Sequence, residues 1–136
     1  MFTKVHHVTY VVENVQQMAD YLQKNFGLRP ERTEELSDRG YKAIVYRVGP
    51  TIVDFFEPTK DDTSMARQLR EQGPGVAHVA WGVEGIDRVF RDLKRKGNEL
   101  RGTGPSESPF GYNTISIEPS SSHGIYFQLA EGEMSQ

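Results

Sequence analysis

The 136-residue sequence predicts an α+β fold in which two tandem βαβββ modules form a pseudo-symmetric curved sheet. Two stretches, 4–12 and 76–83, alternate apolar and polar residues in the manner of half-buried strands. Each carries a histidine, His7 or His78, on the face opposite its main apolar residues. Each is followed at once by an amphipathic helical pattern. The two histidines are 71 positions apart, and this internal repeat predicts two copies of one module.

The first module is predicted to span residues 1–60. Asn14 is a suitable N-cap for a helix that ends near Phe26, where Gly27 supplies the stop signal. Turns at Asp38-Arg39-Gly40 and at Gly49-Pro50 separate the remaining strands of the module. These strands are predicted at 31–36, 41–48 and 51–57.

A connector, 61–75, holds a short helix capped by Thr63 and leads into the second module, 76–131. That module repeats the pattern with a helix from Ile86 to a stop at Gly97. It continues with a short strand at 98–101, a loop rich in Gly, Pro and Ser at 102–111, and strands at 112–118 and 125–130. Residues 132–136 are predicted to be a frayed tail on one compact domain.

Composition excludes several classes of function. The net charge of −3, from 19 acidic and 16 basic residues, argues against a nucleic-acid partner, which would require a basic stripe. The absence of cysteine excludes disulfides and thiolate metal sites, and it fits a cytoplasmic protein. No apolar stretch approaches the roughly 18 residues of a membrane span, so no membrane partner is expected.

The strand faces opposite the helices are where a site is expected. In each module the helix covers one face of the strands, and the other face is left to line a cleft for a metal or ligand. Two imidazoles, one carboxylate and one amide oxygen share these faces and could bind a divalent metal ion. These metal-ligand candidates are His7, Asp54, His78 and Gln128. The substrate-binding candidates on the same faces are Thr9, Tyr41, Arg47, Phe56, Tyr112, Thr114, Ser116 and Tyr126.

A structural role competes with this interpretation. A lone strand histidine is more often a hydrogen-bonded packing residue than a metal ligand. The repeat-matched pair favours the metal, because the first strand of each module gives a histidine and the last strand gives an oxygen ligand. His6 points toward the helix side and is interpreted as structural, and His123 lies in a turn. The segment Gly102-Thr103-Gly104 follows no buried strand and is better explained as a flexible connection than as a phosphate loop.

With these motifs the sequence resembles the vicinal oxygen chelate superfamily, which includes glyoxalase I, extradiol dioxygenases, fosfomycin-resistance proteins and methylmalonyl-CoA epimerase. The resemblance covers about residues 4–131 and is closest to the epimerases. It rests on residues 6–8 and 12–14 of the first strand region and on the connector with Glu57-Pro58 and Asp62-Thr63. It also rests on residues 73–80 and on the closing segment, residues 118–129.

The resemblance implies a divalent metal (Co, Ni, Mn, Zn or Fe) held by the same four residues, with Asp54 and Gln128 as the catalytic positions. This chain departs from the epimerase pattern at the proton-handling positions. Epimerases usually have glutamate where this chain has Gln128, and a second glutamate falls at Ala43. Gln128 cannot titrate, and Ala43 has no proton to give. Glu34, Glu35, Tyr41 or Tyr112 could substitute.

Three functions stay open from the sequence. The first is a metal-dependent isomerase or epimerase that enolises a small metabolite next to a carbonyl, with an acyl-CoA among the candidates. The second is a glyoxalase-type lyase or an Fe(II) dioxygenase of the same fold. The third is a non-catalytic protein that binds a small molecule, as resistance proteins do. The resemblance also implies a homodimer.

Overall fold

The structure, a computed structural model, describes residues 1–135. Within it the chain divides into two compact units. The first unit is His7–Ala77, and the second comprises Met1–His6 together with the chain from His78 onward. No helix in the described part of the chain has the length and apolarity needed to cross a membrane.

The first unit has the predicted βαβββ order followed by the connector helix. Its strands are ordered β2-β3-β4-β1, with antiparallel pairs except for the parallel pair of β1 and β4. Asn14 accepts a hydrogen bond from the backbone N–H of Gln17, and Gly27 ends the helix in the left-handed conformation (φ 68°), as predicted. Thr63 caps the connector helix in the same way, through the N–H of Ala66. The elements are β1 (Val5–Val11), α1 (Val15–Phe26), β2 (Arg32–Leu36), β3 (Tyr41–Val48), β4 (Thr51–Pro58) and α2 (Ser64–Gln72).

Helix α1 covers one face of these strands and forms the hydrophobic core of the first unit. Val15 is its most buried residue, and Met18 and Leu22 extend the stripe at helical spacing. The sheet contributes the strand residues of one phase, as the alternation of the sequence predicts. The buried members of this cluster are Val12, Val15, Ile44, Tyr46 and Phe55.

The second unit repeats the topology. Its strands are ordered β5-β8-β7-β6, and β5 runs parallel to β8 as β1 runs parallel to β4. Helix α3 packs Ile86, Val89 and Phe90 against Ile115 and Leu129 of the sheet. The elements are β5 (Gly75–Gly82), α3 (Ile86–Arg95), β6 (Ser106–Glu107), β7 (Asn113–Ile117) and β8 (Phe127–Glu131), with a 3₁₀ turn at Pro119–Ser121.

Three local predictions in the second unit are wrong. Residues 98–101 form no strand and make only one bridge, from Leu100 to Ile117. The short strand β6 lies inside the segment predicted to be a loop. The last strand begins at Phe127, and Ile125 is 58% exposed. The positive φ angles of His123 (59°) and Gly124 (89°) hold the chain in a turn immediately before Ile125, which delays its entry into the sheet.

The two chain ends are fixed to the second unit. Thr3 donates its N–H to the carbonyl of Gly82, and Gly82 donates to the carbonyl of Lys4. The predicted frayed tail is instead docked as far as the structure describes it: Met134 is buried, and the N–H of Ser135 donates to the carbonyl of Phe110 at 2.7 Å. Gln136 lies outside the described residues.

A matched pair of glutamates, Glu57 and Glu131, ties each helix to the end of its own last strand. The carboxylate of Glu57 accepts from the N–H of Val15 at the start of α1 (3.0 Å). The carboxylate of Glu131 accepts from Gly85 (2.8 Å) and Ile86 (2.9 Å) at the start of α3. A helix N-terminus carries unpaired N–H groups and a partial positive charge, so a carboxylate stabilises it. The repeat therefore preserves a helix–strand clamp as well as a fold.

We expect Glu131→Ala to lower the free energy of unfolding by about 1–2 kcal/mol, because α3 has no side-chain cap from Gly85 and loses both charge-assisted hydrogen bonds. Urea denaturation measures the change. The control is Glu84→Ala, which removes an exposed carboxylate beside the same helix end. The control is expected to cost only a few tenths of a kcal/mol. Equal losses in the two variants would contradict the clamp.

Candidate functional site

The first unit places two of the four predicted metal ligands on one face of its sheet. In the parallel pair of β1 and β4, Thr9 lies directly opposite Asp54. His7 is two residues before Thr9, and residues two apart on a strand share a face. His7, Thr9 and Asp54 are all buried, with exposures of 2% or less. This face is the one opposite α1, as predicted.

Asp54 is an unusual buried carboxyl group. Its Oδ1 has no hydrogen-bond partner within residues 1–135. Burial raises the pKa of Asp54 to about 7, and a hydrogen bond from the Thr9 side chain opposes only part of this rise. A carboxyl group that changes its charge near neutral pH is suited to proton transfer, and its unpaired oxygen is suited to bind a cation.

The remaining predicted residues of the first unit divide into two groups. Tyr41 and Phe56 lie on the same face as Asp54 and contact each other edge to face, with ring centroids 5.4 Å apart. Arg47 is exposed and forms an ion pair with Glu31 at 3.2 Å. The aromatic pair therefore extends the Asp54 face, and Arg47 lies at its exposed end.

The second unit repeats this arrangement with the same register. Gln128 on β8 lies directly opposite Ala80 on β5, and His78 is two residues before Ala80. The histidine and the oxygen-bearing residue therefore have the same strand offset in both units. Ser116 lies opposite Gln128 on β7 and shares its face.

Gln128, Tyr126 and Ser116 form a polar network on this face. The Tyr126 hydroxyl is 2.8 Å from Ser116 Oγ, and Gln128 Nε2 donates to the Tyr126 hydroxyl at 3.2 Å. The imidazole of His78 lies 5.2 Å from the Tyr126 ring, centroid to centroid. Gln128 Oε1 is buried and has no partner of hydrogen-bond geometry in the described chain. The network fixes the amide nitrogen of Gln128, and the amide oxygen is left with no geometric hydrogen-bond partner, although the Gln128 side chain interacts with His78.

The imidazole of His78 is neutral at physiological pH. Burial lowers the pKa of His78 to about 4; the Gln128 amide partly opposes this shift and the charge of Arg101 adds to it. A neutral imidazole is the form that binds a metal ion.

Two other predicted residues lie farther along the second unit. Thr114 donates from its hydroxyl to the carbonyl of Ser106 at 3.4 Å. Tyr112 is buried and packs edge-on against His6 at 4.7 Å. His6 Nε2 is 2.7 Å from the carbonyl oxygen of Gly132, so His6 has a backbone partner within the second unit.

Sequence reasoning missed Arg101. Its guanidinium Cζ lies 4.7 Å from the centroid of the Tyr126 ring, and its Nε donates to Glu118 at 2.8 Å. The sequence placed Arg101 in a predicted strand, 98–101, that does not form, and repeat matching assigned it no counterpart in the first module. The only signal available in the sequence was its place between α3 and the predicted site strand that begins at Tyr112.

Each unit carries a histidine and an oxygen-bearing side chain on one strand face, which are donor types that divalent cations accept. Three buried side-chain atoms in the described chain lack a hydrogen-bond partner, and two of them are Asp54 Oδ1 and Gln128 Oε1. Buried polar atoms are normally satisfied, so an unpaired oxygen often marks a place for an ion or a ligand. The third atom is the Tyr46 hydroxyl, which lies in the α1 core. Within residues 1–135 no group of three or more His, Asp or Glu side chains forms a ready metal-binding cluster.

We expect Asp54→Asn to stabilise the metal-free protein, and to do so increasingly as pH rises from 4 to 8. The folded pKa of about 7 lies above the reference value of 3.8, so between these values the folded protein binds more protons and the carboxyl group destabilises it as pH rises. The difference in stability between variant and wild type should therefore grow by roughly 3–5 kcal/mol across this range. Denaturation at several pH values in the presence of a chelator measures it. A difference that does not change with pH would refute the shifted pKa.

Two comparisons of sequence bear on identity. A family model described as the Glyoxalase/Bleomycin resistance protein/Dioxygenase superfamily matches residues 6–112. No curated protein matches the chain significantly.

Solved structures resemble the chain over nearly its whole length. A variant of Streptomyces coelicolor methylmalonyl-CoA epimerase, in complex with 2-nitronate-propionyl-CoA, is 20% identical with a TM-score of 0.88, and the match covers 97% of this chain and 99% of that one. The methylmalonyl-CoA epimerase of Mycobacterium tuberculosis is also 20% identical, with a TM-score of 0.88 and coverage of 97% and 89%. A selenomethionine methylmalonyl-CoA epimerase is 26% identical, with a TM-score of 0.86 and coverage of 98% and 97%. These matches confirm the predicted fold class. Since the family model covers well over half of its residues, the chain belongs to the Glyoxalase/Bleomycin resistance protein/Dioxygenase superfamily.

Proposed function

We propose that this protein is a metal-dependent isomerase or epimerase that enolises a small carbonyl compound, with acyl-CoA thioesters as the first candidates. The observation that carries the proposal is the pair of buried, unpartnered oxygens, Asp54 Oδ1 and Gln128 Oε1, on strands that also carry a histidine in matched register. Structures similar to this chain are described as methylmalonyl-CoA epimerases in complex with acyl-CoA ligands, which supports the substrate class. A homodimer and a cytoplasmic location remain predictions of the sequence.

The proposed metal ligands are His7, Asp54, His78 and Gln128. Imidazole nitrogens with carboxylate and amide oxygens suit Co²⁺, Ni²⁺, Mn²⁺, Zn²⁺ or Fe²⁺, and the donor set does not choose among them. When bound, such an ion polarises a carbonyl oxygen and so makes the neighbouring C–H more acidic. The neutral form of His78 and the fixed amide of Gln128 are consistent with ligand roles.

Proton transfer requires a group other than Gln128 and Ala43. Glu34 on β2 lies directly opposite Ala43, and Ala43 lies opposite Phe56 on β4, so the three share the face of Asp54. The Glu34 carboxylate forms a 2.7 Å ion pair with Arg32, which fixes its position on the edge strand. We propose Glu34 as the base that removes the proton, in place of the glutamate absent from position 43.

One competing chemistry has a specific observation in its favour. His7, His78 and Asp54 together are two histidines and one carboxylate, the ligand set that Fe(II) oxygenases use. Dependence on oxygen separates the two reactions, because enolisation consumes none. A glyoxalase-type lyase is distinguished by its product, since its product differs from the substrate in connectivity, whereas epimerisation returns a compound of the same connectivity.

We expect the purified protein, after dialysis against Co²⁺ or Ni²⁺, to retain one metal ion per chain. His7→Ala and His78→Ala should each weaken binding by more than the roughly 10–100-fold that loss of an outer partner of a metal ligand costs. The control, His123→Ala, removes an exposed turn histidine and should bind as the wild type does. Elemental analysis after dialysis measures occupancy, and circular dichroism verifies folding. Metal retention by both site variants would disprove the ligand set.

We expect the metal-loaded protein to exchange the α-proton of methylmalonyl-CoA for deuterium in heavy water. Glu34→Gln should slow exchange by about 100-fold or more, which is the usual contribution of a general base. Glu35→Gln is the matched control. Glu35 is the next residue on β2, opposite Lys42 of β3, and its side chain lies on the other face of the sheet from Glu34. NMR of the α-position follows the reaction.

Equal rates in the two variants would remove Glu34 from the mechanism. Tight acyl-CoA binding without any exchange would favour a non-catalytic binding protein.

A further inference from the structure

The backbone of Arg101 is hydrogen-bonded beside the polar network of the second unit. Its backbone N–H donates to the carbonyl of Ser116 at 3.0 Å, and the preceding Leu100 bridges Ile117. The segment carrying Arg101 therefore follows β7 at the residue whose hydroxyl contacts Tyr126. A side chain that leaves a fixed backbone has fewer conformations to lose on binding a ligand.

The guanidinium of Arg101 lies over the Tyr126 ring, with Cζ 4.7 Å from the ring centroid. This distance is within the range of a cation–π interaction. The Tyr126 hydroxyl is itself held by Ser116 and Gln128. The charge of Arg101 is therefore oriented by the same residues that fix the Gln128 amide.

Arg101 keeps hydrogen-bonding capacity that its ion pair does not use. Its contact with Glu118 is made through Nε alone, and within residues 1–135 no hydrogen bond from Nη1 or Nη2 is found. The side chain is 47% exposed. An ordinary surface ion pair would explain the contact with Glu118, but it would not require stacking on Tyr126 or a backbone anchor at Ser116.

We propose that Arg101, stacked on Tyr126, is a carboxylate-recognition subsite on the His78–Gln128 face. The ligand would carry a carboxylate close to the carbonyl that is to be enolised. The two Nη groups would donate hydrogen bonds to the oxygens of that carboxylate. This inference rests on the proposed function in one respect, namely that the ligand occupies the face of His78 and Gln128.

The geometry favours a carboxylate over other anions. The guanidinium is planar and presents parallel N–H groups that match the two oxygens of a carboxylate. Glu118 already neutralises part of the charge of Arg101, so a doubly charged phosphate would meet an unfavourable neighbour. A neutral group would leave the Nη donors without a charged partner. A single negative charge therefore fits this subsite best.

The test compares two thioesters of the same shape. Methylmalonyl-CoA and isobutyryl-CoA differ by one carboxylate in place of one methyl group. Isothermal titration of the full-length protein, with and without Co²⁺, should show that wild type prefers methylmalonyl-CoA by roughly 10–100-fold, which is the usual gain from a charged hydrogen bond. Arg101→Gln should reduce this preference to within about threefold and leave isobutyryl-CoA binding unchanged. Arg101→Lys should restore part of it, since lysine keeps the charge and loses the planar fork.

The control is Arg95→Gln, which removes another exposed, ion-paired arginine of the same unit, on α3. It should keep the wild-type preference. The subsite is disproved if wild type shows no preference, if it fails to bind the carboxylated thioester, or if Arg101→Gln keeps the preference. Discrimination that Arg101→Gln abolishes, in a protein that exchanges no α-proton, would support the subsite and reject enolisation. The two proposals can therefore fail separately.

Discussion

The parallel pairing of the first and last strands in each module is the constraint on which the candidate site depends. It places Thr9 opposite Asp54 in one unit and Ala80 opposite Gln128 in the other. In both cases the histidine stands two residues earlier on the first strand, so histidine and oxygen donor share a face. A shift of one residue in either register would turn one of them into the helix-covered core. The two modules therefore share the same register between their first and last strands, and the matched histidines are the part of this likeness that the sequence shows.

The helix clamps belong to the same constraint. Glu57 follows Asp54 by three residues and Glu131 follows Gln128 by three, so each last strand ends on the carboxylate that holds its own helix. Two residues that are three positions apart on a strand point to opposite faces. The glutamate therefore faces the helix, and the candidate metal ligand faces away from it. The core that α1 or α3 forms on one face thus fixes the register that positions chemistry on the other.

Much of this could be predicted from the sequence because strand phase and helix periodicity are local properties. The caps Asn14 and Thr63 and the division of residues between two faces all follow from short-range patterns. The register between strands could not be predicted, because it is set by pairing across 40 or more residues. Arg101, the burial of Phe110 and the docking of Met134 were missed for a related reason. They lie in irregular segments whose positions depend on distant contacts rather than on any periodicity.

The two modules have kept one geometry and diverged in chemistry. The first carries a buried carboxyl group whose pKa is raised to about 7, with Glu34 on the same face. The second carries an amide that cannot titrate, set in a network with Tyr126 and a stacked arginine. The one group of this pair whose pKa is raised to near neutral, Asp54, therefore belongs to the first unit, and the stacked positive charge of Arg101 belongs to the second. This division gives a physical reason why Gln128 is tolerated where a titrating group would be expected. A carboxylate at position 128 would lie in the same network as Arg101 and would compete with a ligand carboxylate for its charge. In the proposed site, a neutral amide would keep an oxygen for coordination and would leave the guanidinium to a ligand carboxylate.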